Sequence, residues 1–267
     1  MSDYDHRYHV GNHGDVWKHL ALLAVLAAFK HERVRILDTH GGRGRYRISG
    51  AGEWTAGIER LREQVPSGTS SGSGAVDRYL ARIAKTPGVY PGSPVLTAGA
   101  MGRNDRLVVY ERDPDAVRDL REALAGDHRT KVVEGDGWAA PELDGEPGLV
   151  WIDPPYVEKE DWARVVDAVV RARRAGHRIL VWYPIKRLSR PNVLLAALRE
   201  AGVPYVALEL GVTPLELEKR TMCGSGVLLV DLPRSVAIEV QAAAPVVGEA
   251  LATHDGRWTV RAVAHRP

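Results

Sequence analysis

Val34-Arg-Ile-Leu-Asp38-Thr39-His40-Gly41-Gly42-Arg43-Gly44 reads as a β-strand that ends in a carboxylate and runs directly into a glycine-rich turn. At the carboxyl edge of a parallel sheet, such a turn lets backbone approach a ligand closely. A dinucleotide site would show G-x-G-x-x-G, with an acid at the end of the second strand. Gly42-Arg43-Gly44 lacks the third glycine, and here the acid, Asp38, comes before the glycines. That order suits a ligand whose end near the turn carries an amine, as the methionine end of S-adenosylmethionine does.

Outward from this turn, short β-branched runs alternate with amphipathic stretches of helical period, the signature of β-α units around a mainly parallel, doubly wound sheet. The strand candidates are Val34 to Asp38, Leu107 to Glu111, Lys131 to Glu134, Leu149 to Asp153, Ile179 to Tyr183, Tyr205 to Leu210 and Gly226 to Asp231, seven in all. Helices fit Asp15 to Lys30, Asp113 to Leu124, Lys159 to Ala175 and Ser189 to Ala201, the last with Ser189 as candidate N-cap. Two further acids stand at or just past the ends of the next strands. Glu111 can accept both hydroxyls of a ribose; Asp136 can accept the amine of an adenine ring, with Gly137 allowing close backbone approach. Adenosine with an amino-acid tail is the ligand that three successive acids describe.

Leu149-Val-Trp-Ile-Asp153-Pro154-Pro155-Tyr156 carries the chemistry. An exocyclic adenine amine is a poor nucleophile because its lone pair is delocalised into the ring. Two acceptors, one per N–H, draw that nitrogen toward tetrahedral geometry. The Asp153 carboxylate and the Pro154 carbonyl can serve, held by consecutive prolines that fix φ and add no competing donor. Tyr156 offers an aromatic face for a base that has left its stack.

The remaining features set bounds. The chain has 267 residues, 45% of them hydrophobic and 26% charged, as expected for a globular α/β protein. Its longest apolar run, Leu20 to Phe29, is too short to span a bilayer, and the polar, His-rich start is unlike a signal peptide, so a cytoplasmic protein is expected. The single cysteine, Cys223, reads as a small buried residue. His6, His9, His13 and His19 lack any cysteine or zinc spacing, and no metal is expected. A net charge of +2 does not mark a nucleic-acid binder, so any hold on phosphate rests on local clusters. These are Arg7 with Lys18, then Arg43, Arg45 and Arg47, then Lys186, Arg187 and Arg190, and finally Lys219 with Arg220. No strand is expected between Tyr46 and Tyr90, where Pro66 to Ala75 has linker composition. Residues 1–45 are read as the N-terminal segment and first βα unit, 46–90 as an inserted, partly helical subdomain and 91–267 as the remainder. After Leu232 the pattern weakens, with Arg257 to Val263 as a candidate edge strand.

Taken together, these residues resemble the RlmJ-type family of 23S ribosomal RNA adenine-N6 methyltransferases. The resemblance runs through Tyr4 with His6, His9-Val-Gly11-Asn12-His13-Gly-Asp15-Val-Trp-Lys18-His19, Leu37 to Tyr46, Tyr90-Pro-Gly-Ser93-Pro94, Asp136-Gly137, the Asp153 turn, Trp182-Tyr-Pro184 and Met222 to Gly226. It implies a Rossmann-like class I methyltransferase fold, with a seven-stranded mainly parallel sheet and a small helical insertion. By the same carry-over, His19, His40, Ser93, Glu111, Asp136 and Gly137 line S-adenosylmethionine beside Asp38. Asp153 is the catalytic acceptor, with Pro154 and Tyr156, and Tyr4 contacts the substrate nucleotide, with His6 and Lys18 as neighbouring candidates. The implied partner is 23S ribosomal RNA, protein-free or early in assembly, and a monomer is favoured.

Competing readings are methylation of DNA adenine or of a protein glutamine amide, both compatible with a proline-rich turn. Another is a catalytically inactive RNA- or nucleotide-binding protein of the same fold. Asp153 favours a nucleobase over glutamine, whose enzymes usually place Asn there, and the intact Asp-Pro-Pro-Tyr argues against lost activity.

Overall fold

A computed structural model describes residues 9–217 and 221–266. Its first helix, α1 (His13–Ala28), is opened by Asn12, whose side chain accepts hydrogen bonds from the Gly14 and Asp15 amides. Asp15, expected to open the helix, instead lies in its first turn. Every residue of α1 from Gly14 to Leu26 is buried, with Trp17 and Leu20 fully so. A helix apolar on all sides must be covered on all sides.

Strand β1 (Arg35–Asp38) leads through the glycine turn to a short β2 (Arg45–Arg47). The interval from there carries α2 (Ile58–Gln64) and α3 (Gly74–Ile83) and returns as β3 (Val89–Pro91). β2 and β3 pair antiparallel, Tyr46 opposite Tyr90, where no strand was expected. Strands of three residues, one with only its central side chain buried and the other with two side chains buried in succession, give too little alternation to be read from sequence. After α4 (Ser93–Ala100) follow β4 (Arg106–Glu111), α5 (Pro114–Ala123) and β5 (Thr130–Glu134). Next come β6 (Leu149–Ile152), α6 (Asp161–Arg174), β7 (Arg178–Ile185) and α7 (Ser189–Glu200). Leu188, not Ser189, occupies the N-cap of α7, without a side-chain cap. The chain ends through β8 (Tyr205–Gly211), β9 (Gly224–Val230), α8 (Arg234–Leu251) and β10 (Thr259–His265).

The main sheet has eight strands in the order β10-β8-β9-β7-β6-β1-β4-β5. β5, β4, β1, β6 and β7 run parallel, while β9 is antiparallel to both β7 and β8, and β10 is antiparallel to β8. The strand order reverses beside β1, so the loops after β1 and β6 open a crevice at the carboxyl edge. α8, an 18-residue helix, was not anticipated: Pro245 interrupts a run of Ala and Val that otherwise gives little amphipathic contrast. It covers α1 together with α3 and α4, which explains why α1 can be apolar all round. Arg78 of α3 pairs with Glu239 of α8 at 2.8 Å. Among the described residues, no helix is long and apolar enough to cross a membrane.

Candidate active site

At the carboxyl edge of β1, β4, β5 and β6 lies a cleft of about 1130 Å³. It is lined by His19, His40, Ser93, Glu111, Asp136, Gly137, Asp153, Pro154 and Tyr156, together with Lys18, so residues far apart in sequence share one wall. Tyr4 and His6 lie outside the described residues.

The glycine turn closes on its acids. Gly42 and Gly44 take φ of +59° and +74°, which side chains rarely adopt. The Gly42 amide donates to Glu111 Oε2 at 2.8 Å, and the Arg112 and Asp113 amides donate to Oε1. A carboxylate has about four acceptor sites, so Glu111 keeps capacity for a ligand hydroxyl. Asp136 caps a 3-10 turn by accepting from the Trp138 amide at 3.1 Å. Gly137 sits so near β1 that an added Cβ would come 1.9 Å from the Thr39 carbonyl oxygen. The close approach inferred for this glycine is therefore to its own protein's backbone.

Asp38 stands behind the wall, 1% exposed. Its oxygens accept from the His40 amide at 3.2 Å and from Ser93 Oγ at 2.8 Å, tying the turn to the Tyr90-Pro-Gly-Ser93 segment. Burial pushes its carboxyl up to about 7 against the lowering effect of these two hydrogen bonds. Between its ordinary acid range and that value, the folded state holds a proton the unfolded chain has lost. Stability contributed by Asp38 therefore falls as pH rises toward about 7. Melting curves of the ligand-free protein should decline less for Asp38→Asn than for wild type between about pH 5 and 8. Parallel declines would contradict this reading. His40 is pushed down to about 3 by burial and then by Arg112, so its ring is neutral; it meets Trp138 edge-on at 4.7 Å.

Asp153 leaves the end of β6 with its side chain nearly buried, at 10% exposure, and Oδ2 accepts from Lys18 Nζ at 2.8 Å. Lys18 Nζ also bonds Asp15 Oδ1 at 2.8 Å and lies 5.0 Å from the centre of the Trp182 ring. Burial alone would lower the lysine's pKa, but Asp15 and Asp153 outweigh it and hold the ammonium above its ordinary value. This corrects the expectation for Lys18: clamped between two carboxylates and 6% exposed, it is no exposed cation tracking phosphates. Tyr156 takes φ of +53°, costly for a side chain, and is held there by its hydroxyl, which donates to the Trp182 carbonyl at 2.7 Å, and by ring contacts with Trp162 and Trp182.

The basic clusters divide. Lys186, Arg187 and Arg190 line the mouth of the cleft, and Arg45 and Arg47 are exposed on β2. Arg43 is committed to Asp119 of α5, while Arg7, Lys219 and Arg220 lie outside the described residues. His9 pairs with Glu53, His13 bonds the Met222 carbonyl and His19 bonds Tyr90. Among the described residues no group of side chains could hold a metal ion. Cys223 is buried. Asp15 stands one helical turn before Lys18, a spacing at which helical side chains meet; nothing in one sequence says that Tyr90 meets His19 or that Trp182 lies over Lys18, because those contacts join elements far apart in the chain.

Strand order, reversed β9 and a cleft ringed by a buried acid, a neutral histidine and acceptor carboxylates define a class I S-adenosylmethionine-dependent methyltransferase. The residues present fit that cofactor: Glu111 keeps an acceptor site for a ribose hydroxyl, Asp136 could accept from an adenine amine, and Ser93 lines the cleft beside Asp38.

The chain belongs to the family described as ribosomal RNA large subunit methyltransferase D, RlmJ, whose model matches residues 32–264. It is 30% identical over 281 residues to Ribosomal RNA large subunit methyltransferase J of Haemophilus influenzae, covering 97% of this chain and 98% of that one. The Escherichia coli protein of the same name is 29% identical over 249 residues, 87% of this chain and 88% of its own. A crystal structure of a Legionella pneumophila protein superposes with a TM-score of 0.84 at 26% identity, covering 96% and 98% of the two chains.

Proposed function

We propose that this protein transfers a methyl group to the exocyclic N6 amine of an adenine in 23S ribosomal RNA. The observation that carries the reading is Asp153, set beside Pro154 at the end of β6, oriented by Lys18, and facing the same cleft as Glu111, Asp136 and Ser93. Both relatives bear the name of a large-subunit ribosomal RNA methyltransferase.

Bound S-adenosylmethionine supplies the electrophilic methyl. Ser93 and His19 take its amino-acid end, Asp38 acting through Ser93 and His40; Glu111 takes the ribose and Asp136 with Gly137 the adenine. The Asp153 carboxylate and the Pro154 carbonyl each accept one N–H of the target amine, localising its lone pair for attack. Lys18 keeps Asp153 ionised, and that negative charge stabilises the positive nitrogen that develops as the methyl arrives. Tyr156, rigidly held, supports the base that has left its stack. Tyr4 is assigned to the substrate nucleotide by the family resemblance, with His6 as a neighbouring candidate.

Three expectations follow from this placement. Glu111→Ala and Asp136→Ala should each weaken S-adenosylhomocysteine binding by about 1–3 kcal/mol, read by calorimetry, with the fold retained; unchanged affinity in both would remove them from the site. The cations at the cleft mouth should make RNA affinity fall roughly tenfold or more between about 50 and 200 mM salt. A flat salt response would point to a small-molecule or protein substrate. The substrate class itself is tested with tritiated cofactor on protein-free 23S ribosomal RNA, assembled subunits and duplex DNA side by side. Protein-free RNA should accept label fastest, and preferential labelling of DNA would overturn the reading.

A further inference from the structure

We propose that Tyr90, its own oxygen filled by Tyr79, fixes His19 in the neutral form that carries its proton on Nε2, so that His19 donates to the carboxylate of the cofactor's amino-acid end. The ligand half rests on the cofactor placement above; the proton count does not.

His19 Nδ1 is 2.8 Å from the Tyr90 hydroxyl, which is 2.9 Å from the Tyr79 hydroxyl. All three side chains are buried, the two tyrosines at 0% exposure. Burial raises both phenol pKa values, so each hydroxyl keeps its proton. Among the described residues, Tyr79 Oη has Tyr90 as its hydrogen-bond partner and no other. Two links therefore join the three groups, each link holds one proton, and the hydroxyls already supply two. A proton on Nδ1 would be a third. It would drive Tyr90 to donate to Tyr79 and leave the Tyr79 proton buried without an acceptor, which native interiors avoid. The remaining arrangement runs one way: Tyr79 donates to Tyr90, Tyr90 donates to His19 Nδ1, and Nε2 carries the ring proton.

The direction matters for the ligand. His19 lines the cleft, and Tyr90 is three residues from Ser93, whose hydroxyl bonds Asp38 at the end of β1. This is the end of the cleft given to the amino-acid group, where a carboxylate needs donors. Nε2–H meets it with a proton; the other tautomer would meet it with a lone pair. Tyr90 is thus a positioning residue, and α3 within residues 46–90 reaches the cofactor site through Tyr79.

The test reads the proton directly. Nitrogen–proton correlation spectra of the ¹⁵N-histidine-labelled protein, with His19 assigned by its loss in His19→Gln, should show a bare Nδ1 and a protonated Nε2, with and without S-adenosylhomocysteine. A protonated Nδ1 would overturn the proposal whatever the RNA substrate proves to be. Variants then separate positioning from packing. Tyr90→Phe should raise the S-adenosylhomocysteine Kd about five- to tenfold and lower the melting temperature, because it orphans the Tyr79 hydroxyl. Tyr79→Phe/Tyr90→Phe should regain melting temperature but not affinity, and Tyr79→Phe alone should bind within about twofold of wild type. Unchanged affinity in Tyr90→Phe, or affinity that returns along with stability in the double variant, would defeat the positioning role. Should Tyr90→Phe not fold, the wild-type spectrum still decides.

Discussion

Asp153→Ala should lower single-turnover methyl transfer to 23S ribosomal RNA by about a thousandfold or more, while S-adenosylhomocysteine affinity changes little. The variant removes one of the two acceptors for the target amine and the only charge among them. Asp153→Asn keeps an oxygen acceptor but not the charge, and should retain a residue of roughly a hundredth of wild-type transfer. Loss of cofactor binding in parallel with loss of transfer would place Asp153 in the cofactor site instead. Because Lys18 still meets Asp15 at 2.8 Å, the fold should survive either change.

Lys18→Met should have the largest effect on stability. The ammonium separates Asp15 and Asp153, whose side chains are 4% and 10% exposed. An uncharged side chain of similar length would leave two buried carboxylates facing each other. Breaking such a cluster from one side costs about 3–5 kcal/mol, measurable by urea unfolding at neutral pH. Without the lysine both carboxylates should titrate at higher pH, so the deficit should shrink on acidification as they gain protons. A deficit independent of pH would attribute the loss to packing against Trp182. Transfer should fall as well, since Asp153 would lose both its orientation and its bias toward the ionised form.

Much of this was legible in the residues. The parallel strands were readable because each is a β-branched run bounded by turn residues. The acids at the ends of β1 and β4, and just after β5 and at the end of β6, could be aligned because parallel strands place their carboxyl ends on one edge. Other features depend on tertiary contact. Lys18 reads in the sequence as one of several cations that could hold phosphate; Asp15 stands one helical turn before it, but only the seating of α1 at the sheet edge brings Asp153 to its other side. Asp38 looked like a ligand acid, yet the turn folds over it and leaves Ser93 and His40 as its partners. α8 went unread because Pro245 and a monotonous Ala/Val face hide its period, and the β2–β3 ladder because three residues carry too little pattern.

The central claim is that Asp153 and Pro154 present an adenine N6 amine to the methyl donor. Protein-free 23S ribosomal RNA should be reacted with the wild-type protein and S-adenosylmethionine, digested to nucleosides and resolved by mass spectrometry. N6-methyladenosine should appear with wild type and be absent with Asp153→Ala; a methylated pyrimidine, a ribose methylation or undiminished N6-methyladenosine from the variant would contradict the account.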